Sequence, residues 1–225
     1  MAEDLRGTLA QRAVDRSLGD RRTQYADEIQ RVLEATYDLI ERTGDVDPSL
    51  REILAETGLS TQAFYRYFQS KDELLLLLLD DGRRRLLATL ERRMQRVDTP
   101  EARVRAWIEG VLAQATDARA AGRTRPFVTD RDRLAEAYPR EQQASVDLLI
   151  DLLASAIVSL HGRASARDDA VVVYRAAFTT LHDHLLHGTR PTAGETDHLV
   201  QFCLQGIGGD RPDTDSPGTD TEKSA

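Results

Sequence analysis

"LSTQAFYRYFQSKDELL", residues 59–75, gathers Phe64, Tyr65, Tyr67 and Phe68 within five positions of a chain that has only six Tyr, five Phe and one Trp in all. On a helix, Phe64 and Phe68 are i and i+4 and share a face with Leu59, so this pair reads as core. Tyr65 falls on the other side with Thr61, Gln62 and Arg66, and Tyr67 sits at the edge. The stretch is also depleted in acid: between residues 59 and 71 the only charges are Arg66 and Lys71, whereas residues 21–58 carry nine acids and five arginines. One face of a short helix is thus apolar, and the other offers only neutral and cationic donors.

Working outward, Ser60 is placed to cap this helix, and Ser70 with Glu73 forms an S-x-x-E capping box for a longer one running to about Val97. Upstream, Ser49 and Glu52 make a second box for a two-turn helix with Leu50, Ile53 and Leu54 on its buried face, stopped by Gly58. Before that, Ile29, Val32, Leu33, Thr36, Leu39 and Ile40 recur at helical spacing up to Gly44. Two short helices joined by the tight "ETGLST" turn after a longer one give a helix-turn-helix, whose second helix fits the major groove of double-stranded DNA. Thr61, Gln62 and Arg66 are expected to read bases, since an amide pairs with adenine and a guanidinium with guanine. Tyr65, Tyr67, Lys71, Ser49 and Arg51 are expected at phosphates, with Ser60 beside them.

"GLSTQAFYRYFQSKDEL", Gly58–Leu74, resembles the signature of the tetracycline-repressor (TetR) family, G-[VL]-S-x-x-x-[LF]-Y-x-[HY]-F-x-[SN]-K-[DE]-x-L. The resemblance covers residues 25–75. It implies an all-helical homodimer whose amino-terminal domains bind a palindromic operator, usually as a repressor, and whose carboxy-terminal domain takes a small-molecule effector that releases DNA. Leu54 stands where the family usually has a small Ala, and "GDVDPSLREI" replaces its Thr-rich start of the second helix. Activation in place of repression, or a helical dimer acting through protein partners, are the alternatives.

The remaining composition agrees with an all-α chain of about nine helices. Helix formers dominate, 40% hydrophobic content suffices for a core, and alternating strand patterns are absent. The longest apolar run is "LLLLLL", residues 74–79, too short for a bilayer, and "MAEDLRG" lacks a signal-peptide core, so a cytoplasmic protein with no membrane partner is expected. Cys203 is single, which fits a reducing compartment. The net charge of −8 argues against a generally basic coat, so DNA contact has to be local. Four segments are expected: a flexible arm at 1–22, the helix-turn-helix domain at 23–75, a ligand-binding and dimerisation domain at 76–208, and a disordered acidic tail at 209–225.

Within 76–208, Thr99-Pro100-Glu101 starts a helix, "RAAGRTRPF" (119–127) reads as a break, and further helices are expected near Asp130–Tyr138, Glu141–His161, Asp168–His187 and Gly194–Ile207. No catalytic motif is present, and neither enzyme activity nor a cofactor is expected. In the family's architecture the last two helices form an intersubunit four-helix bundle. That assigns Val171, Phe178, Leu181, Leu185, Leu199, Phe202 and Cys203 to a dimer interface. Trp107, Phe127, Tyr138 and Tyr174 are the aromatics available to a pocket, and the lack of obvious charge there suggests an apolar or amphipathic effector. His184 and His187 lie i, i+3 near His182, but with no third ligand in reach they read as partners of a helix C-terminus, with no metal.

Overall fold

The computed structural model describes residues 9–45, 47–129, 139–162 and 164–208, and these are helical apart from short connections. Nine helices are present among them: α1 (Leu9–Thr43), α2 (Leu50–Thr57), α3 (Thr61–Tyr67), α4 (Lys71–Met94), α5 (Pro100–Thr116), α6 (Ala118–Thr129), α7 (Pro139–His161), α8 (Ala166–His187) and α9 (Ala193–Gly208). The boundaries follow local chemistry. Ser49 Oγ accepts from Glu52 N while Glu52 accepts from Ser49 N, and Gly58 closes α2 with φ 70°. Ser60, Ser70 and Thr99 accept from Ala63, Glu73 and Ala102 N–H, and Pro100 opens α5.

Two cores share one spine. The smaller joins α1 (Val32, Leu33, Tyr37, Leu39, Ile40), α2 (Ile53), the α3 pair Phe64 and Phe68, and the first half of α4 (Leu74, Leu75, Leu78). The larger takes the second half of α4 (Leu86, Leu90, Met94) with Trp107, Ile108 and Val111 of α5, Leu149 and Leu153 of α7, Ala177 and Leu181 of α8, and Val200 of α9. At 24 residues α4 is about 36 Å long, so it crosses the boundary expected at residue 75 as one rigid rod. α5 lies at the centre of the larger domain, against α4, α6, α7, α8 and α9. Its Gly110 allows that closeness, because a Cβ there would sit 2.5 Å from Leu90 Cδ2.

Two expectations change. Residues 9–22, assigned to a flexible arm, belong to α1: the segment leaves Val14 and Leu18 exposed but contains no proline to stop the helix. The break at 119–127 is also helix. Asp117 Oδ1 accepts from Ala120 N (2.8 Å) to start α6, and Gly122 lets α6 approach α1 so closely that an added Cβ would lie 3.1 Å from Glu41 Cγ. α7 over 139–160 is long and apolar enough to pass as a membrane span by length and composition alone. Its inner face, Leu149, Ile150, Leu153, Ala156 and Ile157, is part of the larger core. The helix expected at 130–138, residues 1–8 and the tail at 209–225 lie outside the described residues.

Candidate nucleic-acid interface and effector cavity

α3 has only seven residues, too few for stability alone, and is held by two side chains. Phe64 and Phe68 are fully buried with ring centroids 5.1 Å apart, and Tyr65 meets Phe64 edge-on at 5.4 Å. The opposite face carries Thr61, Gln62, Tyr65 and Arg66, all exposed, and Tyr65 is 53% accessible. Ser60 Oγ is used as the cap of α3 and lies at the same end. Arg51 on α2 is exposed as well.

Three residues expected at phosphates are engaged within the domain. Tyr67 packs on Tyr25 of α1 (4.8 Å), donates its hydroxyl to Glu28, and accepts from Arg66 Nη2 (2.8 Å), whose guanidinium lies 4.8 Å above its ring. Tyr25 in turn donates to the Arg66 carbonyl (2.7 Å). Tyr67 is therefore a tie between α3 and α1, and Tyr65 is the aromatic left facing outward. Lys71 Nζ lies 2.6 Å from Asp47 Oδ1, which neutralises it and pins the turn before α2 to the start of α4. Ser49 Oγ is consumed by its capping box. Sequence spacing places these residues correctly but does not show the acids that reach Tyr67 and Lys71 from 39 and 24 positions away in the chain, or, for Ser49, the partner in its own cap. Ser49→Ala is expected to lower stability by about 1 kcal/mol, measured by urea unfolding.

A cavity of about 470 Å³ opens between α4, α5, α6 and α8, with Tyr37 of α1 in its wall. Tyr174 and Phe178 of α8 stack at 4.3 Å and line it, while Trp107 is fully buried behind them, 6.4 and 6.3 Å away. Of the four aromatics expected to contact an effector, Tyr174 is in the wall, Trp107 is one layer behind, and Tyr138 and the Phe127 side chain lie outside the described residues. The absence of charge expected there is not found: Arg83, Arg85, Arg93, Arg119 and Arg123 line the cavity against the single carboxylate of Asp117. Arg83, Arg85 and Arg93 face it because of how α4 rotates between the two cores, and Arg119 and Arg123 because α6 packs alongside.

The same wall is wired to the DNA-binding domain. Arg123 Nη2 donates to Glu34 Oε2 (3.0 Å) and Asp38 Oδ1 (3.3 Å), and its guanidinium lies 4.8 Å from the Tyr37 ring. Arg85 donates to Glu34 and, at 2.7 Å, to Asp81. Tyr37 donates its hydroxyl to the Leu78 carbonyl. Burial pushes the Glu34 carboxyl up, but hydrogen bonds and charge from Arg85 and Arg123 outweigh it and hold Glu34 below the usual carboxylate range. Its ion pairs consequently persist at neutral pH and are lost only as pH falls through that lowered value. Burial, with Asp81 beside it, raises the Tyr37 phenol, which stays a neutral donor.

On α8 and α9, the expected interface residues Leu181, Leu185 and Cys203 are buried inside the subunit, and Val171, Phe178 and Leu199 are half-buried against the same core. The apolar side chains these helices leave in the open are Val172, Leu186 and Phe202, the last 67% exposed. Both helices are apolar on two sides, and the richer stripe, the one visible in the sequence, goes to the subunit's own core. His184 Nδ1 pairs with Thr189 Oγ1 and His187 Nδ1 with the Asp183 carbonyl, both at 2.8 Å. His182 instead faces the cavity.

A helix-turn-helix joined by a shared helix to an all-helical domain with a cavity defines the class of helical DNA-binding regulators. Residues 32–78 match the bacterial regulatory proteins of the tetR family, so the chain carries the DNA-binding domain of that family. No curated protein matches the sequence. Among solved structures, the regulator FadR from Bacillus subtilis in complex with stearoyl-CoA is similar at TM-score 0.63 and 13% identity, over 79% of this chain and 98% of its own. A TetR-like transcriptional regulator from Rhodococcus sp. RHA1 gives 0.58 and 21%, over 81% and 97%. RolR in complex with resorcinol gives 0.59 and 15%, over 83% and 90%. At these identities the likeness is one of fold.

Proposed function

We propose that this protein is a homodimeric, ligand-responsive transcriptional regulator that represses from a palindromic operator and is released when a small molecule enters the cavity. The observation that carries it is the outward face of α3: Thr61, Gln62, Tyr65 and Arg66 stand exposed, without a nearby acid in the chain, on a helix fixed from behind by Phe64 and Phe68. The response follows from the wiring. Arg123 and Arg85 line the cavity and also hold Glu34 of α1, so a molecule that repositions either guanidinium changes how the DNA-binding domain sits on α4 and α6. Structural neighbours that hold stearoyl-CoA and resorcinol support an effector role for such a cavity.

The test is fluorescence anisotropy against the DNA upstream of the protein's own gene, with scrambled DNA as control, at two salt concentrations. Preference for the upstream DNA by about a thousandfold or more supports the proposal, and equal weak binding to both opposes it. Gln62→Ala is expected to reduce that preference by about 1–3 kcal/mol while leaving binding to scrambled DNA unchanged, as a base-reading contact requires. Equal losses on both DNAs would reassign Gln62 to the backbone.

A further inference from the structure

The polar wall of the cavity is nearly all of one sign. Arg85 and Arg123 are already balanced by Asp81, Glu34, Asp38 and Glu41. Arg93 and Arg119 are exposed and form no ion pair with another described residue. The one lining acid, Asp117, is occupied in capping α6. Arg123 adds a second sign of an unfilled acceptor position: its Nε is buried without a hydrogen bond, and the nearest carboxylate oxygen, Glu41 Oε2, is 3.7 Å away. The rest of the wall is apolar, with the stacked Tyr174 and Phe178 beside Leu78, Leu86 and Leu181.

A cationic guest would meet repulsion here, and a wholly apolar guest would strip water from guanidinium groups and return nothing to them. An anion gains charge-assisted, two-pronged hydrogen bonds from the same groups. We infer that the cavity takes an organic anion, with a carboxylate- or phosphate-type headgroup held by Arg93, Arg119 and Arg123 and a ring or chain body against Tyr174 and Phe178. This deepens the regulator reading and rests on it for one consequence: the headgroup competes with Glu34 and Asp38 for Arg123, which loosens α1 from α6 and gives release of DNA a direct cause.

The test uses two fluorescent probes with the same body, anilinonaphthalene-8-sulfonate and its sulfonate-free counterpart N-phenyl-1-naphthylamine, added to the full-length protein. Trp107, the only tryptophan, lies behind the aromatic wall and reports a probe in the cavity by loss of its emission. The sulfonate is expected to bind in a single equivalent about tenfold or more tighter than the neutral probe, the scale of one charge-assisted hydrogen bond. Arg93→Ala with Arg119→Ala should abolish that preference and leave the neutral probe unaffected, whereas Arg93→Lys with Arg119→Lys should keep most of it. Displacement by decanoate against decyl phosphate separates the two headgroup types, and decanol should displace neither probe preferentially. Equal affinity for both probes, or a preference that survives the double alanine change, overturns the inference. Operator binding with no anion preference sinks this inference alone. Anion preference without operator binding sinks the regulator reading and leaves the anion site standing.

Discussion

Phe64→Ala is expected to unfold the DNA-binding domain while leaving the cavity domain folded. The ring is fully buried, touches Phe68 at 5.1 Å and supports Tyr65 at 5.4 Å. Replacing a buried Phe by Ala costs about 3–5 kcal/mol, and small domains hold little more than about 5 kcal/mol in total. α3 suffers most because its seven residues have no independent helical stability and only one other fully buried anchor, Phe68. The second core provides the internal control. Trp107 belongs to it, so urea unfolding followed by tryptophan emission should remain near wild type, while helical circular dichroism shows an early, separate loss. DNA binding should vanish with that early phase. Tyr65→Ala is the contrasting change: an exposed residue whose loss moves stability by no more than about 0.5 kcal/mol yet weakens DNA binding. Similar unfolding curves for Phe64→Ala and Tyr65→Ala would show that the buried and outward faces of α3 have been assigned the wrong way round.

The two faces of α3 were legible because period, caps and charge agreed there. Phe64 and Phe68 were one turn apart, Ser60 preceded them, and no acid intervened. Long-range pairing was not legible. Glu28 reaches Tyr67 and Asp47 reaches Lys71 across the domain, so two groups assigned to phosphate are satisfied by the protein itself. Sequence punctuation misled at α6, where Gly122 serves close packing on α1 and Arg123 ties the helix to three α1 carboxylates. The start of α9 was read to within one residue, and the reciprocal cap of Thr192 and Glu195 is the chemistry that sets it. The arginines of the cavity belong with the long-range group. Their number is plain in the sequence, but facing a cavity is a property of how α4 and α6 pack against α8.

Phe202→Asp is expected to convert the protein to a monomer and, through that, to remove tight operator binding. Phe202 is 67% exposed on α9, and Val172 and Leu186 are 59% and 57% exposed on α8, the two helices on which the intersubunit bundle is expected. Aromatic residues are enriched at protein–protein interfaces, so Phe202 is the side chain with which to test whether this surface is covered by a partner. A two-fold interface uses each residue twice, so one substitution places two carboxylates in the buried seam. Aromatic anchors are worth about 2 kcal/mol or more each, and the pair therefore predicts a rise of about a thousandfold in the dimer dissociation constant. Operator affinity should fall further than any single contact explains, because two tethered half-site domains raise each other's effective concentration and separate ones do not. Sedimentation velocity over a hundredfold range of about micromolar protein measures the mass directly, and anisotropy on the same samples measures DNA binding. Unfolding midpoints should stay close to those of the dissociated wild type, since Phe202 contributes little to the subunit's own core. A dimer that survives the substitution would move the interface away from α9, to exposed apolar positions elsewhere such as Leu148 and Val158 on α7.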